Sequence, residues 1–193
     1  MQLEMIFEKL KKTLEAQHIV EPLVFGVGDA RARVMLIGEA PGAEEVKAGK
    51  PFVGKAGKNL NHFLEKTGIK RERLYITNVV KFRPYKIGKS GRKSNRPPTQ
   101  REIAICLPCL QEEIASVAPR LIVTLGNTAL GAVAEKTVKI GEAHGALQKN
   151  AVGNTLFPLY HPASIIYNRS LEEVYEKDMQ KLRAYIKETK LFD

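Results

Sequence analysis

Leu3, Ile6, Phe7, Leu10 and Leu14 recur at spacings of three and four, the period that lays one apolar stripe along an α-helix facing a core. An N-terminal helix is therefore expected within residues 1–20. Four short apolar runs follow, at 34–37, 74–80, 121–125 and 155–160. Each is strand-length and continuous, as a strand buried on both faces should be. A helical pattern follows each run, over 59–67, 99–117, 127–135 and 171–187. Thr99 with Glu102 spells a capping box ahead of the second of these helices, and Gly68 stands where the first should end. Strands alternating with helices predict an α/β fold, a three-layer α/β/α sandwich around a central four-stranded parallel sheet. With 193 residues, this reads as one domain over the whole chain.

The segment 83–98, RPYKIGKSGRKSNRPP, breaks the alternation and reads as a long basic loop. The whole chain is basic as well, with 31 Lys and Arg against 21 Asp and Glu and a net charge of +10. Such a charge favours phosphate-rich partners, nucleic acid first, over a merely solvated basic surface. No apolar run approaches the roughly 20 residues of a membrane helix. The opening MQLEMIFEKLKKTLEAQ puts charges through every turn, unlike a secretory signal, so a cytoplasmic protein is expected. Two cysteines, Cys106 and Cys109, exclude a disulfide framework and a four-cysteine metal site within one chain. Their CxxC spelling lies inside a helical pattern, which predicts a structural role. Zinc held by both cysteines and two of His18, His62, His144 and His161 satisfies the arithmetic only.

In a parallel sheet, ligands bind beyond the carboxyl ends of the strands. The residues just past the four predicted strands are Gly38-Glu39-Ala40-Pro41-Gly42, then Asn78 with Lys81 to Arg83, then Gly126-Asn127-Thr128, then His161-Pro162-Ala163-Ser164. A glycine-rich turn leaving a buried strand exposes backbone N–H groups and admits a ligand closely. No GxGxxG or GxxxxGK[ST] pattern occurs there, which removes dinucleotide and P-loop sites. Phe52, set among Lys50, Gly54, Lys55 and Gly57, reads either as a stacking platform beside phosphate contacts or as a core ring in a loop.

The stretch GEAPGAEEVKAGKPFVGKAGKNL closely resembles the first motif of the family 4 uracil-DNA glycosylases. The resemblance extends through Tyr75-Ile76-Thr77-Asn78-Val79-Val80-Lys81, Asn95-Arg96 with Pro98-Thr99, and His161-Pro162-Ala163. It implies that a uracil is flipped out of DNA into a pocket at the sheet edge. Phe52 stacks on the base in this reading, and the Asn78 carboxamide reads the O4 and N3–H edge. His161 donates to the uracil anion that forms as the glycosidic bond breaks. Glu39 holds the attacking water and stabilises the cationic sugar, with Glu45 the second residue for that work. Ala40, Pro41 and Gly42 are expected to line the substrate site, with an N–H contact from Ala40. Lys55, Lys81, Arg83, Arg92, Lys93 and Arg96, with Ser164, are expected to contact DNA phosphates, and Tyr167 to wedge or stack in the minor groove.

The chain departs from that family in its cysteines. The family carries a [4Fe–4S] cluster on four thiolates, and the matching positions here are His18, Glu21, Phe82 and Cys106. Only Cys106 retains a ligand, so no cluster is expected and apolar packing at Phe82 takes its place. Ile165-Ile166-Tyr167-Asn168 stands where an arginine usually follows the His-Pro segment, and Val46 replaces a usual acidic residue. The expected activity is removal of uracil from DNA by a monomeric, monofunctional glycosylase that uses water and no metal. The alternatives are a glycosylase for another deaminated base such as hypoxanthine, or an inactive relative that only grips DNA.

Overall fold

The computed structural model describes residues 2–134 and 138–192. The chain opens with α1 (Gln2–Ala16) and β1 (Val27–Gly28), then β2 (Val34–Gly38), α2 (Ala43–Ala48), α3 (Lys55–Thr67) and β3 (Leu74–Asn78). It continues through β4 (Tyr85–Ile87), β5 (Lys93–Asn95), α4 (Gln100–Val117), β6 (Leu121–Leu125) and α5 (Asn127–Ala134). The last part holds α6 (Ile140–Ala143), β7 (Gln148–Lys149), β8 (Thr155–Leu159), α7 (Ser164–Tyr167) and α8 (Leu171–Glu188). Glu135, the expected last residue of α5, lies outside the described residues.

The sheet runs in the order β1-β3-β2-β6-β8-β7. Its four middle strands are those marked by the apolar runs, and they are parallel. Two-residue strands pair antiparallel at either edge and widen it to six. Strands so short and partly exposed carry no hydrophobic signal in sequence. Alternation along the middle strands splits the core in two. Met35, Ile37, Tyr75 and Ile122 join Leu10, Leu14, Leu110 and Leu130 from α1, α4 and α5. Val34, Leu36, Ile76 and Val123 join Leu60, Phe63, Met179 and Leu182 from α3 and α8. Helices therefore cover both faces, and each buried aliphatic side chain contributes about 1.5–3 kcal/mol.

The expected caps are in place. Thr99 Oγ1 accepts from the Glu102 N–H at 3.2 Å while Glu102 accepts from the Thr99 N–H at 2.6 Å, and Gly68 ends α3 at φ 68°. Helix α3 starts four residues earlier than the apolar pattern, because its first turn is polar and caps on Gly54. Strand β3 stops at Asn78, short of the apolar run. The N–H groups of Val79 and Val80 turn instead to the carbonyls of Gly38 and Glu39, at 2.9 and 3.0 Å. This binds together the carboxyl ends of β2 and β3.

The basic segment is not a loop. Within it β4 and β5 pair antiparallel, Tyr85 opposite Asn95 and Ile87 opposite Lys93. The Gly88 N–H donates to the Arg92 carbonyl at 3.0 Å, and Gly91 supplies the left-handed residue at φ 75°. Lysines and serines in place of alternating apolar residues hide these strands from a hydrophobicity reading. No helix among the described residues is long and apolar enough to cross a membrane.

Candidate active site

Gly38 and Asn78 face each other across the last rung of β2 and β3. A Cβ on Gly38 would stand 2.4 Å from both Asn78 Oδ1 and Phe52 Cζ, so only glycine lets these two side chains close on the strand end. Phe52 is buried and sits in the left-handed region at φ 54°. Gly57 admits the Phe52 backbone, since a Cβ there would come within 2.0 Å of its carbonyl oxygen. A cavity of about 490 Å³ opens at this edge. Glu39, Ala40, Pro41, Gly42, Glu45, Phe52, Lys55, Asn78, Arg96, His161 and Tyr167 all line it. Lys81, Arg83 and Ser164 do not.

Asn78 is 2% exposed and lines this cavity, and among the described residues its carboxamide makes no hydrogen bond. Its backbone is held from behind. Lys81 Nζ donates to the Asn78 carbonyl and to Thr77 Oγ1, both at 2.6 Å, and pairs with Glu113 at 2.5 Å. Tyr75 and Thr77 hydroxyls donate to the same carboxylate at 2.8 and 3.1 Å. Burial and the Glu113 charge push the Tyr75 phenol far above its usual range. Lys81 and Glu113 are both 0% exposed. Such a pair is tolerable only because hydrogen bonds saturate it. Lys81 was expected among the phosphate contacts, and full burial excludes that: its ammonium is a fixed prop under Asn78.

His161 lies on the turn after β8, its ring 5.8 Å from that of Phe52. Burial pulls its pKa from 6.5 down to about 4, against a smaller upward pull from Glu45. The ring is neutral at pH 7, and the Ala163 N–H donates to Nδ1 at 3.1 Å. Its one proton therefore sits on Nε2, which has no partner among the described residues. An NMR titration of His161 is expected to give a midpoint near 4, and a midpoint near 6.5 would contradict this geometry. The sign for stability follows by linkage. Above pH 6.5 the ring is neutral folded or unfolded; as pH falls from 6.5 toward 4, only the unfolded chain takes up this proton, so His161 subtracts stability across that window.

Glu39 is oriented by Thr128, whose hydroxyl donates to Oε2 at 2.5 Å and leaves Oε1 open. Glu45 differs. Its Oε1 accepts from the N–H groups of Val53 and Gly54 at 3.1 and 2.7 Å, and its Oε2 from Gly42 at 3.2 Å. A carboxylate so occupied ties the Gly42 turn to the Phe52 loop while it lines the cavity. Ser164 spends its one hydroxyl proton on the His161 carbonyl at 2.5 Å, so it fixes the turn and has no donor for phosphate. Arg96 is likewise engaged. Its guanidinium takes both oxygens of Glu102 at 2.7 and 2.8 Å and the carbonyls of Tyr85 and Pro97. That pairing holds Glu102 down at about 2. Arg83 Nε donates to Asn95 Oδ1 at 2.7 Å.

Lys55 stands exposed at the start of α3, and Ile166 and Tyr167 rise from the rim, Tyr167 89% exposed. Two contributors act through partners that the sequence did not announce. Thr128 orients Glu39 from 89 residues away, and Asn59 Nδ2 donates to the Pro162 carbonyl across 103 residues, tying α3 to the His161 turn. Cys106 and Cys109 are buried in α4, and burial raises the Cys109 thiol to about 12, which suits packing and not redox chemistry. Among the described residues no group of three or more His, Cys, Asp or Glu is arranged to hold a metal ion.

Residues 25–188 match the Uracil DNA glycosylase superfamily. A type-4 uracil-DNA glycosylase of Thermotoga maritima is 37% identical over 96% of this chain and 95% of its own length. Another, of Saccharolobus solfataricus, is 39% identical over 82% of this chain and 73% of its own. A type-5 uracil-DNA glycosylase of Pyrobaculum aerophilum is 34% identical over 73% and 66%. Match over nearly the whole chain, with the strand-end residues gathered around one cavity, makes this protein a member of the uracil DNA glycosylase superfamily, of the type-4 kind.

Proposed function

We propose that this chain is a single-domain, monomeric, cytoplasmic uracil-DNA glycosylase that starts base-excision repair. One observation carries the reading: a buried carboxamide and a neutral imidazole N–H, both unpaired among the described residues, line one cavity with a buried aromatic ring. Uracil offers N3–H and O4 together, which the Asn78 Oδ1 and Nδ2 satisfy in one plane while Phe52 stacks on the base. Cytosine presents the reverse pattern.

As the C1′–N1 bond breaks, its electron pair goes to the base and leaves an oxocarbenium-like sugar. The His161 Nε2–H donates to uracil O2 as that oxygen gains negative charge. The open Glu39 oxygen holds the water that adds to C1′ and offsets the sugar's positive charge; the water's proton leaves to solvent and the uracil anion is protonated on release. Glu45, Ser164, Thr128 and Lys81 act by positioning, the Ala40 turn offers its N–H to the substrate in the cavity, and Lys55 contacts the DNA backbone. Tyr167 and Ile166, exposed at the rim, enter the gap that flipping leaves.

An iron–sulfur cluster does not fit the residues present. The chain has two cysteines in all. Of the four matching positions, Phe82 is 3% exposed in the core and bridges to Leu23. Glu21 accepts from the Tyr85 hydroxyl at 3.1 Å, and Cys106 is the one thiol. The Leu23–Phe82 bridge, with the Val24 N–H on the Lys81 carbonyl at 2.7 Å, fastens the N-terminal segment by backbone bonds and apolar packing.

The test is excision from labelled oligonucleotides carrying one uracil, thymine or hypoxanthine, with added chelator. Release of uracil alone, unaffected by chelator, is expected. Equal or greater release of hypoxanthine would assign the pocket to another base, and tight DNA binding with no release would make the protein a binding module.

A further inference from the structure

The segment 83–98 carries six cations and no acid. Arg83 and Arg96 brace the base of its hairpin, where Pro84, Asn95 and Arg96 line the cavity. The cations beyond are aimed outward. Lys86, Lys89 and Arg92 are exposed and their side chains pair with nothing among the described residues. The hairpin has one aromatic ring, and it is taken: Lys93 Nζ lies 3.9 Å above the Tyr85 ring while the Tyr85 hydroxyl is bonded to Glu21. At the far end Ile87 is 65% exposed.

Grip on a single strand needs free aromatic faces on which bases stack. This hairpin offers none, and offers instead a stiff, two-stranded cationic ribbon fastened to the rim of the base pocket. Two-stranded ribbons fit the major groove of duplex DNA, where charges contact phosphates on both walls.

We propose that the β4–β5 hairpin is a duplex-gripping arm that lies in a groove beside the flipped nucleotide and makes this protein favour double-stranded over single-stranded DNA. The inference rests on the glycosylase reading for its substrate, yet its test does not depend on turnover. Binding of the full chain to a 20-base-pair duplex holding an abasic-site analogue, and to the same single strand, is measured by fluorescence anisotropy across a salt series. The triple variant Lys86→Ala, Lys89→Ala, Arg92→Ala touches only exposed side chains. The wild type is expected to bind duplex at least tenfold more tightly than single strand, and the variant to lose most of that preference. Its slope of log K against log salt on duplex should fall by about 2–3, since each phosphate contact contributes about 0.9. An unchanged slope, or equal losses on both DNA forms, would overturn the arm. A wild type that prefers duplex but releases no uracil would sink the catalytic reading and leave the arm standing.

Discussion

Asn78→Asp is expected to lower uracil release by about 10³-fold or more while the protein keeps its fold. The carboxylate can still accept from uracil N3–H, but it has no N–H for O4 and sets an anion beside a base that is itself turning into an anion. Losing a hydrogen bond to a charged centre costs about 1.5–3 kcal/mol. Adding repulsion in a water-poor pocket brings the total near 4 kcal/mol, which is about 10³ in rate. The side chain has no route of escape, because it is buried at 2% and its backbone carbonyl is pinned by Lys81. Selectivity should shift too: the ratio of uracil to cytosine release falls, because an acceptor at Nδ2's position suits the cytosine amino group. Single-turnover rates on the two substrates, with a thermal melt to establish folding, measure it. A variant with wild-type melting and wild-type selectivity removes Asn78 from base reading.

His161→Ala should fall almost entirely on kcat, by about 10²–10³-fold, with KM within a few-fold. An N–H aimed at charge that develops only in the transition state is worth about 2.7–4 kcal/mol there and little in the ground state. The neutral ring is what makes this donor independent of pH. With the imidazole held at about 4, the wild-type rate should carry no histidine step between pH 5 and pH 8, and the alanine variant should show a parallel, lowered profile. A loss confined to KM would make His161 a binding group instead, and a wild-type step near 6.5 would mean that the free ring carries a charge.

Legibility divides along the reach of each residue's partners. Glu39, Asn78 and His161 stand where buried strands end, so a reading of strand ends finds them; Phe52 stands on the loop between α2 and α3 and is found by the contiguous motif, and the cavity gathers all four. Lys81 sits in the same motif as Asn78 and looked like a phosphate ligand. Its partner Glu113 is 32 residues further on, and nothing near Lys81 announces that a carboxylate will bury beside it. Arg96 illustrates the opposite case. Glu102 lies only six residues away, within the capping box already visible in sequence, so its pairing was available to a closer reading of that helix start.

By itself, the sequence determined the four parallel strands, the helices that cover them, the caps of α3 and α4 and the edge on which chemistry gathers. Those follow from apolar periodicity and local backbone preference, which act over a few residues. Only the tertiary structure decided which polar groups are spent and which are free. Whether a charged or hydroxyl side chain meets a ligand depends on what desolvates and pairs it, and those neighbours come from distant parts of the chain. Lys81 and Ser164 are consumed by the scaffold, Glu45 ties two loops together, and the hairpin holds Lys86, Lys89 and Arg92 clear of every described partner. The Asn78 carboxamide and the His161 Nε2–H remain unpaired among the described residues, because the bonds that orient them come from the far side, at the Asn78 carbonyl and at Nδ1.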